Sequence, residues 1–291
     1  MPFYVSTVRM PELPEVETAV RLLRPDIVGR TITGVRVRWE RTLGGLDRRR
    51  FSRAIRGARM ASIWRRAKYI LIDLERDGLL CGHLIGHLRM TGRLFVEPHG
   101  SVPAHVRVSL ALDDGRSLHF LDVRKFGRLT FADDPSEVLP ELGPEPLDKD
   151  FSAAWLRDGL ARRRRLIKPM LLDQSFLAGL GNIYVDESLH LAGIHPLATS
   201  DRVSAVQSNR LHRAIQDTLE AAIEREGSSF DDFYRTPEGK PGSFQHQFQV
   251  YGRQGRPCRS CGAEVIRIVV GQRGTHLCPR CQRRPRARPR R

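Results

Sequence analysis

Two pairs of cysteines constrain this chain more than any other feature. Cys258-x2-Cys261 and Cys278-x2-Cys281 are separated by sixteen residues. Each pair presents two thiolates to one ion, and two such pairs complete a tetrahedral zinc shell. Disulfides are the competing use of paired cysteines, but the opening MPFYVSTVRM lacks the basic and apolar segments of a secretory signal. The expected setting is therefore a reducing compartment and the expected ligand is one Zn2+ per chain. Four thiolates leave no open position, so the metal is expected to be structural. The intervening EVIRIVVGQRGTHL reads as a hairpin with a glycine turn. His276 is a fifth possible ligand, but with the shell already filled it is expected at the surface.

The 291 residues allow two ordinary domains, and 40% hydrophobic content is enough for packed cores. No apolar run approaches the roughly 18 residues of a membrane span. Lys+Arg number 49 against 33 Asp+Glu, a net charge of +16. The last ten residues, QRRPRARPRR, hold six arginines, and +10 remains without them. The positive excess thus belongs to the folded body and points first to nucleic acid, whose counterions each phosphate contact releases.

Apolar residues Val16, Val20, Leu22 and Leu23 sit mainly on one helical face over about Pro14–Arg24, with Pro14 suited to the first helical position and Glu15 and Glu17 to the first turn. Strand patterns follow: Val35, Val37 and Trp39 alternate with Arg36, Arg38 and Glu40, and further strands are expected at 69–74, 79–88, 106–112, 117–122 and 128–131. The polar, Pro- and Gly-containing 141–150 reads as a linker. Beyond it, helical runs are expected at 167–176 and 183–191, joined by AGLGN, and Leu211, Ile215, Leu219 and Ile223 mark a longer helix. The chain is thus α+β: β-rich first, helical in the middle, β-type again around the cysteines.

Several side chains are candidates for chemistry. AGLGN, Ala178–Asn182, offers a close backbone approach and a fresh helix N-terminus, a geometry that can receive a phosphate, beside the basic 162–165 cluster and Lys168. Many such turns only pack helices. Met90, Arg124 and Phe126 come from HLRMTG and DVRKFGR, and could act as wedges in a duplex. Met and Phe more commonly fill cores. Lys68 begins a strand under a run of positive charge, where a strand-edge lysine is the plainer reading. Arg267 and Arg273 on the expected hairpin can face phosphates or solvent.

The stretch MPELPEVE at 10–17 is different. A chain started at Met10 would lose its methionine and expose the secondary amine of Pro11. That amine can attack an electrophilic carbon and form a cationic iminium, an electron sink of the Schiff-base kind. An α-amino group, with a pKa near about 7.7, is far readier than a lysine near about 10.4. Glu12 stands beside it to move protons. With Met1–Arg9 attached, Pro11 nitrogen is a tertiary amide and no nucleophile. Met10 is therefore the expected start, with 1–9 an upstream extension.

Taken together, MPELPEVE, RRAKY at 65–69, HLRMTG, DVRKFG, LGPEPL at 142–147, IKPMLLDQ at 167–174, GLGNIYVDESL at 179–189, AGIHP at 192–196 and GKPGSFQHQFQVYGR from 239 resemble formamidopyrimidine-DNA glycosylases from Met10 to about Cys281. The resemblance implies an N-terminal β-sandwich with flanking helices (10–140), a linker (141–150), a helix–two-turn–helix DNA-binding domain (151–245), a zinc ribbon (246–285) and an Arg-rich tail (286–291). It implies excision of 8-oxoguanine and formamidopyrimidines from double-stranded DNA lying in the cleft between the halves, with the damaged nucleotide flipped out and the strand cleaved by β,δ-elimination. Residue by residue, Pro11 matches the nucleophile, Glu12 the proton carrier and Glu15 a residue ordering the site. Lys68 and Lys168 match functional lysines near the lesion and its phosphates. Asn182 and Arg273, with Tyr251, match phosphate contacts, and His105 belongs to the same DNA-contacting set. Met90, Arg124 and Phe126 match residues that fill the vacated stack and probe the opposite cytosine. The 236–244 stretch matches a loop over the everted base. Ser228 and Ser229 stand where a threonine pair is usual.

Nothing signals a stable oligomer or a membrane, so a monomer acting on DNA in the cytoplasm, beside the nucleoid, is expected. Two alternatives stay open. PELPEVE in place of a PEGPE pattern argues against the related endonuclease VIII branch, which prefers oxidised pyrimidines. A chain with Pro11 permanently blocked would be a noncatalytic, zinc-containing DNA-binding protein.

Overall fold

The structure is a computed structural model that describes residues 10–98, 100, 102–229 and 234–284. The expected upstream extension and the Arg-rich tail lie outside the described residues. The chain forms two compact units, one of Met1–Pro140 with Arg225–Gln245, the other of Glu141–Glu224 with His246–Arg291. Contacts group the 225–245 segment with the first unit, whereas its flanks belong to the second; chain order and packing divide the molecule differently.

The first unit opens with α1 (Leu13–Ile27). The helix begins one residue before the expected start, so Pro14 is its second residue and Glu15 its third, and Pro25 in the last turn leaves the Arg21 carbonyl without an intrahelical N–H. Four strands, β1 (Ile32–Val37), β5 (Gly92–Pro98), β6 (Val106–Leu112) and β7 (Arg116–Asp122), pair antiparallel in the order β1-β6-β7-β5. A second antiparallel sheet runs β2-β3-β4-β8, from β2 (Arg59–Arg66), β3 (Tyr69–Arg76), β4 (Leu79–His87) and β8 (Arg128–Ala132). Inward residues of both sheets, such as Ile63, Ile72 and Leu84 from one and Leu94, Leu110 and Phe120 from the other, share one buried cluster with Val16, Val20 and Leu23 of α1. This is the expected sandwich, sealed by a helix whose apolar stripe meets the core.

Local differences from the sequence reading have physical causes. The alternation through Trp39 and Glu40 does not continue as strand: β1 stops at Val37, and Glu40–Leu43 turn into a short 3-10 helix. Glu40 there accepts the Arg48 backbone N–H, and Gly44 takes a left-handed φ of 69° that reverses the chain. A short helix α2 (Arg48–Ile55), capped by Asp47, and strands β2 and β5 add to the expected elements.

In the second unit, α3 (Ala153–Ala161), α4 (Ile167–Leu172), α5 (Asn182–Leu191) and α6 (Ala205–Glu224) form the helical part. The run expected at 167–176 stops at Leu172, because the Asp173 side chain caps the following turn at Ser175. The hairpin expected between the cysteines is present as β9 (Ile266–Val270) and β10 (Arg273–Leu277). Gly271 and Gln272 both have positive φ at its turn, as a two-residue hairpin requires. Among the described residues no helix is long and apolar enough to cross a membrane.

Candidate active site and nucleic-acid-binding elements

In the first unit, the start of α1 builds a carboxylate cluster. Pro11 is buried, and Glu12 and Glu15 are 4% and 2% exposed. The Glu12 N–H donates to Glu15 Oε2 at 2.9 Å, half of a reciprocal capping box in which the Glu12 side chain accepts from the Glu15 backbone. The other Glu15 oxygen accepts the backbone N–H of Ser228 at 2.8 Å and its hydroxyl at 3.1 Å. Tyr234 donates its hydroxyl to the backbone carbonyls of Glu15 and Glu226. Burial and the neighbouring Glu15 charge push the Tyr234 phenol well up, so it stays a donor. Glu15 therefore fixes the segment carrying Pro11 and Glu12 from one side and the Ser228 segment from the other. The resemblance implies an ordering role for Glu15; it does not reveal Ser228 as the partner through which that role is exercised.

Lys68 follows Ala67, whose φ of 51° tightens the turn between β2 and β3, and is 7% exposed. His87, opposite Tyr69 in the sheet, stacks edge-on to that ring. Its pKa falls to about 3 because burial disfavours the charged ring and Arg89 and Lys68 repel it. Its Nδ1 accepts the Arg89 N–H. A neutral histidine thus stands beside the cations at this end of the sandwich.

The loops carrying Met90 and Arg124 are brought together by Asp122. This buried carboxylate accepts the Thr91 hydroxyl, the Arg124 N–H at 3.2 Å and, on its second oxygen, the Gly127 N–H at 2.6 Å. Gly92 closes the first loop, where a Cβ would lie 2.3 Å from the Leu88 carbonyl. Met90 is half-buried; Arg124 and Phe126 are exposed, with the guanidinium 4.9 Å over the Phe126 ring. An exposed Phe held by a tight loop is not core. His105, also exposed, has a φ of 66°, and its carbonyl accepts the Asp122 N–H. Thr91 and Asp122 lie inside the quoted motifs but carry no role in the sequence reading.

Thr236 starts a turn closed by Lys240, and Arg93 donates to the Pro237 carbonyl at 2.8 Å. Ser229 accepts the Gly242 N–H. The 236–244 stretch is thereby laced to both β5 and the Ser228–Ser229 pair.

In the second unit, α5 organises the remaining candidates. Asn182, its first residue, donates to the Gly274 carbonyl at 3.0 Å and to the Tyr251 hydroxyl at 3.4 Å. The next acids point two ways. Asp186 pairs with Lys168 Nζ at 2.6 Å and accepts the His276 N–H at 2.8 Å. Glu187 accepts the N–H groups of Gln249, Val250 and Tyr251. Burial raises the Glu187 pKa against the pull of those three donors. Lys168 is fully buried, its ammonium committed to Asp186 and the Gly274 carbonyl. Arg273 is exposed at the start of β10. His276 is not at the surface as expected: it is 6% exposed against Tyr251 because its strand is drawn onto Asp186. Neither Asp186 nor Glu187 stands out in the sequence; two adjacent acids on an otherwise buried helix are the signal that marks them.

The four cysteine Sγ atoms lie within 4.8 Å of one another. Cys258–Cys281 and Cys261–Cys278 are 3.9 and 3.4 Å apart, near the ~3.8 Å edge of a tetrahedron with 2.3 Å Zn–S bonds. The donor set and spacing fit one structural zinc, held by Cys258, Cys261, Cys278 and Cys281.

The N-terminal-domain signature of formamidopyrimidine-DNA glycosylase matches residues 10–129, its H2TH-domain signature 142–233, and the zinc finger found in FPG and IleRS 255–284. The chain belongs to the formamidopyrimidine-DNA glycosylase family. Formamidopyrimidine-DNA glycosylases of Heliobacterium modesticaldum and Chloroflexus aurantiacus are each 45% identical, over 94% of this chain and 100% and 98% of theirs. Among solved structures, the MutM (FPG) protein of Thermus thermophilus is 42% identical with a TM-score of 0.83, covering 94% of this chain and 98% of that one. Lactococcus lactis Fpg in complex with DNA containing an abasic site is 36% identical with a TM-score of 0.86, covering 94% and 100%. The family's three signatures account for both units and for the zinc ribbon.

Proposed function

We propose that this chain is a bifunctional DNA glycosylase and AP lyase that removes oxidised purines, 8-oxoguanine and formamidopyrimidines, from duplex DNA in the cytoplasm, at the nucleoid. One observation carries the reading: Glu15 holds Glu12 beside Pro11, in a family whose glycosylase name describes base removal. Relatives captured on Fapy-dG and abasic-site DNA support the substrate class.

In this reading the chain starts at Met10, as the family signature does, and loses that methionine. The lone pair of the freed Pro11 amine attacks C1′. The C1′–base bond breaks, its electrons leave with the base, and the proton shed by the Pro11 nitrogen goes to the departing base. Glu12 protonates O4′ as the sugar opens, leaving an iminium between C1′ and Pro11 nitrogen. The cation acidifies C2′, so β- and then δ-elimination expel the 3′ and 5′ phosphates. Water releases the remaining sugar fragment and regenerates the amine. Lys68 assists near the lesion. Lys168, through the ribbon strand it holds, with Asn182, Tyr251 and Arg273, serves the phosphates. His105 adds a contact to the DNA, and Met90, Arg124 and Phe126 occupy the vacated stack.

Borohydride reduction on 8-oxoguanine duplex DNA tests this, with the N-terminus defined by intact mass. A covalent adduct is expected, and Pro11→Gly should form far less of it. Equal trapping by the variant would assign the nucleophile to a lysine. Protein that retains Met1–Arg9 and still traps would refute the free-proline chemistry; binding with no adduct at all would identify a noncatalytic DNA-binding protein.

A further inference from the structure

Lys125 stands between Arg124 and Phe126 in sequence, but its side chain departs from theirs. Its ammonium lies 4.2 Å from the centroid of the Trp39 ring, while Arg124 covers Phe126. Trp39 comes from a distant stretch, immediately before the 3-10 turn at Glu40–Leu43, and Arg41 also stands over the same ring at 5.9 Å. The indole Nε1 is buried with no hydrogen-bond partner among the described residues. A tryptophan kept for its N–H would have found an acceptor; this one offers its face, the surface that attracts cations.

The Lys125 backbone has a φ of 63°. An L-residue adopts that left-handed geometry only where its surroundings hold it. Asp122 anchors the loop through the N–H groups of Arg124 and Gly127, on either side of Lys125 and Phe126. Between those anchors, the Trp39 face receives Lys125.

We propose that Trp39 is a positioning residue for opposite-strand recognition. By docking Lys125 it maintains the left-handed turn that sends Arg124 and Phe126 out of the loop as a stacked pair. This rests on the reading of Arg124 and Phe126 as the probe of the base opposite the lesion.

The test compares single-turnover excision of 8-oxoguanine opposite cytosine and opposite adenine for the full chain and for Trp39→Leu, Trp39→Phe, Lys125→Met, the Trp39→Leu/Lys125→Met double variant and Arg124→Ala. Trp39→Leu and Lys125→Met should each lower the cytosine-to-adenine ratio by about two- to fivefold, the scale of an exposed cation–π pair. The double variant should lose no more than either single one, and Trp39→Phe should keep most of the ratio. A merely destabilised fold scales both rates equally, so an unchanged ratio in Trp39→Leu and Lys125→Met overturns the inference, as do additive losses in the double variant. If Arg124→Ala leaves the ratio intact, the reading of the loop itself falls. If Arg124→Ala abolishes discrimination while Trp39→Leu does not, the role of Trp39 alone falls.

Discussion

One carboxylate oxygen of Glu15 accepts both the backbone N–H and the hydroxyl of Ser228, 213 residues further along the chain. Its other oxygen accepts the Glu12 N–H. Glu15→Gln must therefore turn an amide NH2 toward one of two N–H donors. Losing one charge-assisted bond to a buried donor costs about 1.5–3 kcal/mol. Excision should fall about tenfold or more with the zinc content unchanged. Gly227→Ala should act at the same point, because its Cβ would lie 2.8 Å from Glu15 Cγ at a φ of +78°. Wild-type single-turnover rates in both variants would show that this bond does not order the site.

Lys168 and Asp186 form an ion pair with both side chains fully buried. Removing one partner strands the other charge, so Lys168→Met should destabilise the protein by about 3–5 kcal/mol. Adding Asp186→Leu should recover part of that loss. Urea unfolding measures both; a single variant as stable as the parent would contradict the burial of a charged pair.

His87 makes stability depend on acidity. Its folded pKa is depressed to about 3, so between about pH 3 and the ordinary histidine value near 6.5 the unfolded chain binds the extra proton. Its contribution is complete above about pH 6.5 and is lost as pH falls through that window. His87→Gln should flatten the slope of unfolding free energy between about pH 4 and 6. An identical slope in the variant would place the titration elsewhere.

Among the described residues the apolar core of the ribbon is small: Val250, Cys258, Val265 and Cys278 with a few neighbours. Metal ligation must therefore supply much of its stability. Cys278→Ser, or chelation, should abolish stoichiometric zinc, lower the thermal midpoint and weaken DNA binding, since Arg273 rides on β10. Zinc analysis with melting and binding curves would reveal it, and unchanged binding without metal would remove the ribbon from the interface.

The cysteine spacing, the alternating strands and the period of α6 are legible in the sequence because each is a local pattern. Helix α2 is not: only Phe51 and Ile55 of its eight residues are buried, lost among arginines. Strand β2 lacks clean alternation because a bulge shifts its register between Met60 and Ser62. At the candidate site, Pro11 and Glu12 are proposed from their order in the sequence. Asp122 with Thr91, Glu15 with Ser228, and Asp186 with Lys168 cannot be read that way, because each depends on distant segments meeting, and no periodicity encodes that.

The placement of 225–245 within the first unit has a consequence for how such a protein can be inherited. A fragment ending at Pro140 would carry every strand of both sheets, yet it would lack the serine that Glu15 grips. The first unit is written in two instalments with a helical stretch between them. Recombination that exchanged one instalment without the other would transplant a scaffold rather than an enzyme.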